Sequence, residues 1–535
     1  MTVRRLPRWT IAAGSVLFTL AVTGGPARAQ NASAGASASP IVKRSAYEDL
    51  QMFGQVLNQI RVNHPDSVDT HELFMAAVEG MINAADPHSY VIPAVRLEAG
   101  KDAALRDGKL HPVPISFFFA GGAPVVVSVA AGTAARQLDI LPGDELVSID
   151  SAPVRAASAE ELEITLSGPK KSTVRLGFER RRSDGSLVEL EREVRRESFD
   201  AASAVPVAVM MDSSTGYVRV TTFMGERVAD DLHGALDRLE KAGMRRLVLD
   251  LRDNGGGSVA EAARVAGEFL PRGAVVYTSS GRKSEITDTG RVQRSFWRSE
   301  RRYPIVVMVN AGTASASELV AGALQDHDRA LIVGRPTFGK SLLMRGFPMS
   351  DGSVLVLVVG HVRTPCGRIV QRQYRSISRR DYFRMARADR DTAGRPTCRT
   401  DAGRTVYGGG GIFPDVPLAE RAPRPRWALR AEEQQLPLAW SGGYVEAHSA
   451  SLTSLESFAA TGKLPPAALA DFRTYAARQG VVIPADADEQ LQMMLVTSVA
   501  VARWGSEGAY RVEALHDSAV RDAIASFAHA SELLR

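Results

Sequence analysis

Cysteine is almost missing from this chain: its 535 residues include two, Cys366 and Cys398, with no histidine cluster beside them. Two thiols without further ligands make a poor metal site, and no metal-ligand spacing occurs elsewhere, so the sequence implies neither a metal nor any other cofactor. A strong net charge is missing too. Lysine and arginine number 65 against 60 acids, a formal +5, and Arg4, Arg5, Arg8 and Arg28 fall in an N-terminal stretch without acids. The remainder is close to neutral at about +1, which argues against a nucleic-acid partner held by bulk charge. Long apolar runs are also scarce. Trp9 to Val22 is short for a spanning helix, and nothing later is long enough to cross a bilayer.

That early run, preceded by arginines and followed by Ala27-Arg28-Ala29, reads as an export signal cleaved after Ala29, which places the mature chain in the periplasm or outside the cell. Two cysteines suit such an oxidising setting. The remaining length and 45% hydrophobic content allow three or four domains. A linker at 30–44 leads to a helical segment at 45–94, with apolar residues recurring at Leu50, Phe53, Val56, Leu57 and Ile60, then at Leu73, Ala76, Ala77 and Met81. From 95 to 198 the pattern is β-rich, with strands at Val125–Val129, Glu145–Ile149 and Val174–Phe178 and a helix at Glu160–Leu166. From Gly216 strands and helices alternate, which predicts an α/β core with crossover helices.

Within that core, Ile305–Val309 reads as a buried strand, Gly312-Thr313 as a turn and Ser315–Gln325 as a helix. Ser315 therefore stands at a helix N-terminus, where unpaired N–H groups favour developing negative charge. Lys340 ends the next unit, giving a plan for a serine nucleophile with a lysine base. Gly334 to Ser341 also fits the phosphate-loop pattern G-x-x-x-x-G-K-S, but Gly346, Pro348 and Asp351-Gly352 lead into the strand Val354–Val359. A hairpin cannot present helix N–H groups to a phosphate, so the nucleotide reading fails. Between the strand Leu247–Asp250 and its helix, the glycines of Arg252-Asp-Asn-Gly-Gly-Gly257 either let backbone N–H groups approach a ligand or serve only a tight turn.

Several ordered motifs resemble the C-terminal processing peptidases, a family of Ser/Lys proteases with a PDZ domain embedded in a crotonase-like core. They are Asp86-Pro-His-Ser89, Leu141-Pro-Gly-Asp144, Asp250 to Gly257, Thr313-Ala-Ser-Ala-Ser-Glu318, Gln325-Asp326, Thr337-Phe-Gly-Lys340, Thr364-Pro-Cys-Gly-Arg368 and Gly410 to Asp415. The resemblance runs from about Tyr47 to Pro417. It implies an α/β peptidase core at 199–420, a PDZ domain (α+β) at 95–198 and helical segments at both ends, the C-terminal one at 425–535. It implies Ser315 as nucleophile, Lys340 as general base, and N–H groups of Ala316, Gly256 and Gly257 as oxyanion hole. Lys340 must then be neutral near pH 7, which requires desolvation. Phe338, Leu342 and Leu343 are candidates for the apolar wall. Asp326 is structural or orienting, because a carboxylate against Lys340 would oppose its role. The implied partners are proteins or peptides, in particular C-terminal or unfolded segments, and the helical segments offer surfaces for self-association.

Two residues depart from the family pattern. Met344 stands where a glutamine commonly orients the lysine, and a thioether is a poor hydrogen-bond partner. The PDZ peptide loop reads Pro112-Val113-Pro114-Ile115 where glycines are usual, and proline offers no N–H to a peptide carboxylate. Both favour an alternative, a catalytically weak PDZ-containing scaffold that binds peptides. The stretch 372–404 lies between two family landmarks and reads as an insertion, with ten arginines against four aspartates. A solvated loop or a helix packed on the core is preferred there to a site for acidic ligands. Cys366 and Cys398 bracket it, and because insertion ends must meet at the core the pair is expected to form a disulfide, with two buried free thiols as the alternative. Helices are expected at Pro466–Gln479, Asp488–Trp504 and Ser518–Leu534.

Overall fold

The computed structural model describes residues 45–92, 109–120, 123–130, 133–154, 159–181, 186–197, 203–294, 300–375, 377–388, 390–419 and 424–532. The export signal and linker lie outside these residues. The chain divides into two compact units, residues 1–75 and 76–535. In the first, Ser45 and Glu48 form a reciprocal cap that starts the helix Ala46–Asn63, and Phe53 meets Phe74 edge-on. Thr70–Ala85 follows as a second helix.

The centre of the second unit is a six-stranded sheet in the order Val416–Pro417, Leu331–Gly334, Ile305–Val309, Arg246–Asp250, Thr215–Arg219, Val207–Met210. The first five strands run parallel and the last antiparallel. Alternation assigns the two faces. Leu247, Leu249, Ile305, Val307 and Val309 pack with the helices Val228–Lys241, Val259–Ala266 and Ala316–Asp326. Val248, Val306, Met308 and Val333 face the other way, onto Ala514, Val520, Ala523 and Phe527 of the helices Ser506–His516, Ser518–Ala525 and Phe527–Glu532. The C-terminal helices thus supply the sheet's second cover. The single helix expected over Ser518–Leu534 breaks at Ser526, whose hydroxyl bonds Asp522 O, and the break turns Phe527 onto the sheet.

A second, five-stranded sheet holds Tyr90–Ile92, Val354–Arg363, Val275–Gly281 and Asp288–Arg291, with Leu342–Pro348 paired antiparallel to Val354–Arg363. The segment after Lys340 and Ser341 is therefore a strand of a hairpin. Residues 109–197 form a separate antiparallel sheet, Ile115–Ala120, Ala123–Val129, Glu145–Ile149, Thr173–Arg181 and Leu187–Arg195, closed by the helix Ala159–Leu166. Its core contains Val126, Leu146, Leu162, Leu166, Leu176 and Phe178. The turn Leu141-Pro142-Gly143 docks on the helix Leu436–Ala447: a Cβ on Gly143, at φ +92°, would stand 2.6 Å from Ala439 Cα. Only glycine permits that approach.

Arg252 ties the core strand Arg246–Asp250 to the C-terminal helices. Its guanidinium bonds the buried Asp250 carboxylate and reaches Asp517 Oδ2 at 2.7 Å, while Tyr217 donates to Asp250 from the neighbouring strand. Burial pushes the Asp250 carboxyl upward, but Arg252 and Arg219 outweigh it and hold the group below its usual range. Arg252→Ala would remove the cation that bonds both Asp250 and Asp517, leaving Asp250 with the more distant Arg219, and is expected to destabilise the protein by about 3–5 kcal/mol. Denaturant unfolding of wild type and variant measures it.

Candidate active site

Ser315 occupies a backbone conformation that its neighbours impose. At φ +58° and ψ −119° it stands in a region that costs a non-glycine residue of order 1–3 kcal/mol. The turn before it is fixed by Thr313, whose hydroxyl donates to Leu251 O and accepts from Asn310 N. Ala314 N and Ser317 Oγ both donate to Asn254 O. The fully buried Asn254 side chain also donates to Val220 O and accepts from Gly256 N, so Asn254 joins the glycine turn to the start of the helix Ala316–Asp326 through its backbone carbonyl and to the strand end at Val220 through its amide.

Gly256 lies directly against this turn. A Cβ there would sit 2.8 Å from both Ser315 Cβ and Ala316 N, and its φ is +96°. One expectation is corrected here. The Gly256 N–H is already given to Asn254 Oδ1 at 2.9 Å, so Gly256 serves as a spacer and is not an oxyanion donor. Gly257 and Ala316 have no acceptor for their N–H groups among the described residues.

Lys340 is tied to Ser315 by a side chain to which the sequence pattern assigned no role. Glu318, fully buried on the first turn of the helix, accepts from Ser315 N and Lys340 N on Oε2, each at 2.8 Å. Its Oε1 accepts from Gly339 N at 2.8 Å and from Thr337 Oγ1 at 2.5 Å. The backbones of the two candidate catalytic residues thus converge on one oxygen atom. Burial pushes the Glu318 carboxyl up to about 7, against the pull of those four bonds. A glutamate three residues after a serine at a helix start is a capping signature, and that spacing was the one available signal. Its reach to residues 337–340 is tertiary.

Burial is also the largest influence on Lys340 and lowers its pKa; Glu318 and Asp86 pull it back in part. No carboxylate comes within ion-pair distance of its Nζ among the described residues. Asp326 is elsewhere: it pairs with Arg368 at 2.7 Å, both almost fully buried, and accepts from Cys366 N. It therefore anchors the far end of the helix and does not touch the lysine. Met344 lies on the strand Leu342–Pro348, opposite Val358. Cys366 and Cys398 are joined by a disulfide with Cα atoms 6.2 Å apart. In the separate sheet, Val113 and Ile115 line a cavity of about 240 Å³ with Leu162 and Leu166, and Pro114 O accepts from Ala130 N.

A sequence profile described as peptidase family S41 matches residues 214–376. Carboxyl-terminal-processing peptidase 2, chloroplastic, of Arabidopsis thaliana is 34% identical over 337 residues, 60% of this chain and 63% of its own length. C-terminal processing peptidase, chloroplastic, of Tetradesmus obliquus is 33% identical over 342 residues, 60% of this chain and 71% of its own. Among solved structures, the photosystem II D1 C-terminal processing protease is 25% identical, covers 70% of this chain and 87% of its own, and superposes with a TM-score of 0.36. The family S41 match and the site describe one class, the S41 peptidases. Within that class the chain belongs to the C-terminal processing peptidase family.

Glu318→Gln would set an NH₂ group against two of the four donors whichever way the amide turns. Two buried donors left without acceptors are expected to cost about 2–5 kcal/mol. Peptidase activity should fall more than melting temperature alone explains, and calorimetry beside a peptide-cleavage assay checks both.

Proposed function

We propose that this chain is an exported serine endopeptidase that cuts C-terminal or unfolded segments of proteins. The observation that carries the reading is the shared carboxylate of Glu318, which holds the strained Ser315 and the desolvated Lys340 in one register. Neutral Lys340 takes the proton of Ser315 Oγ as the oxygen attacks the scissile carbonyl. The tetrahedral oxyanion forms toward the N–H groups of Ala316 and Gly257 at the positive end of the helix. The lysine ammonium then gives its proton to the leaving amine; neutral Lys340 next takes a proton from water as the water oxygen attacks the acyl carbon, and returns it to Ser315 Oγ as that oxygen leaves.

The two sheets of the core, with the helices Val259–Ala266 and Ala316–Asp326 touching the second, agree with a crotonase-like peptidase architecture, and residues 109–197 with a PDZ domain whose peptide groove is the cavity between Val113 and Leu162. The arginines and apolar run at the N-terminus support export to the periplasm or beyond. A scaffold with little catalysis is the second reading, favoured by Met344 and by the proline in the peptide loop.

Ser315→Ala and Lys340→Ala should each abolish cleavage of unfolded casein while the melting temperature holds, because nucleophile and base act as a unit. Wild-type kcat/KM should rise with pH through the lowered pKa of Lys340, since the neutral amine is the active form. A flat profile across neutral pH, or cleavage by either variant, would overturn the assignment. With Pro114 removing one N–H, the Ser315→Ala protein should bind apolar C-terminal peptides weakly, short by roughly 1.5–3 kcal/mol of one charge-assisted bond. Tight binding that is lost on amidating the peptide would contradict this.

A further inference from the structure

The arginine-rich insertion does not stand off in solvent. Its helix Arg379–Ala388 buries Tyr382 completely, and the ring meets Phe338 at 5.8 Å between centroids and His88 at 5.1 Å. Phe383 packs on Phe338 at 5.6 Å. His88 comes from the Asp86-Pro-His-Ser89 turn, and Phe338 lies two residues before Lys340. The Tyr382 hydroxyl accepts from Gln371 Nε2 at 3.0 Å, which leaves its proton for His88 Nε2 at 2.8 Å. Gln371 turns its Oε1 to Ser341 N at 2.9 Å, on the peptide that follows Lys340. Arg372 N bonds Gly339 O at 2.9 Å on the other side. The loop that carries the lysine is therefore gripped on both flanks by the segment that opens the insertion.

We propose that Tyr382 is a positioning residue for Lys340: acting through Gln371 and with the His88, Phe338 and Phe383 rings, it fixes and shields the amine in place of the glutamine that Met344 replaces. The proposal rests on the reading of Lys340 as the base. The insertion thereby becomes part of the catalytic machinery of this chain. Tyr382 touches no reacting atom. Its effect is to hold water away from one side of the lysine and to fix the peptide on which the lysine hangs. The charged groups that act on Lys340 are Glu318 from the helix and Asp86 from the turn; on the flanking segments His88 and Tyr382 bond each other, and Arg372 bonds the peptide at Gly339. Removing the Tyr382 ring takes away none of these carboxylates; it removes the shielding of the amine together with the ring's own influence on Glu318.

Two readouts separate this proposal from the reading beneath it. Competitive acetylation of the full-length protein across pH, followed by mass spectrometry of the Lys340 peptide, reports that amine's pKa without substrate. In Tyr382→Ala the midpoint should move upward by about one unit, toward the ordinary lysine value. Tyr382→Phe keeps the ring and loses the hydroxyl, so its midpoint should stay near wild type while kcat falls and KM holds. The rising limb of kcat/KM should shift with the acetylation midpoint in Tyr382→Ala. An unchanged midpoint in a folded Tyr382→Ala protein overturns the proposal, and so does a loss of rate in that same variant that is independent of pH. Wild-type protein no more active than Ser315→Ala would instead refute the peptidase reading, while the acetylation midpoint still decides the role of Tyr382. If Tyr382→Ala fails to fold, Tyr382→Phe decides: wild-type kcat in that variant overturns the proposal.

Discussion

A single buried carboxylate sets the geometry of this site. Glu318 is enclosed without an ion-pair partner among the described residues, and four donors compensate for its lost hydration: two N–H groups from the Lys340 loop, one from Ser315 and the hydroxyl of Thr337. A charge in such surroundings is costly unless every lone pair is used, which makes the arrangement intolerant of small displacements. That intolerance is useful here. The same bonds that satisfy Glu318 hold Ser315 at its positive φ and bring the lysine loop against the helix start. A buried ion pair with Lys340 would have held the loop as well, but it would have kept the amine protonated.

The arginines illustrate a second constraint. Arg252 joins Asp250 to Asp517, Arg368 joins Asp326 while bonding Gln325 and Tyr407 O, and Arg404 spans Asp328 and Asp415. Each brings separate segments of chain onto one planar cation, with geometry that lysine could not reproduce. The Asp326–Arg368 pair closes the helix at the end opposite Ser315, beside the disulfide that brackets the insertion. The Ser315 helix is therefore fixed at both ends by charge, one end anionic and the other paired.

Much of this was legible in the sequence wherever a local pattern and its tertiary use coincide. Ile305–Val309 and Glu145–Ile149 read as strands because an apolar run between turn residues has few other uses. The hairpin after Lys340 was legible from Gly346, Pro348 and Asp351-Gly352. Leu187–Arg195 was missed because every second residue is charged; Val188, Leu190 and Val194 still face inward, as a sheet edge allows. The insertion was read as a solvated loop or a helix packed on the core, and its composition gave no sign that Tyr382 would fill the space beside Phe338. The Gly256 assignment failed for a similar reason. A glycine triplet announces close approach, but which of its N–H groups is spent on Asn254 depends on how the turn folds back.

The helices that follow Gly505 complete one face of the parallel sheet and supply Asp517 to Arg252, two residues before Asn254. A growing chain that has already delivered Ser315, Lys340 and the glycine turn still lacks that face and that anion. Until Val520 and Phe527 dock, Val248, Val306 and Met308 lie open to water, and the turn that aligns Gly257 has lost one of its restraints. Residues far apart in sequence thus share one restraint: the glycine turn receives its last ion pair from the final helices of the chain.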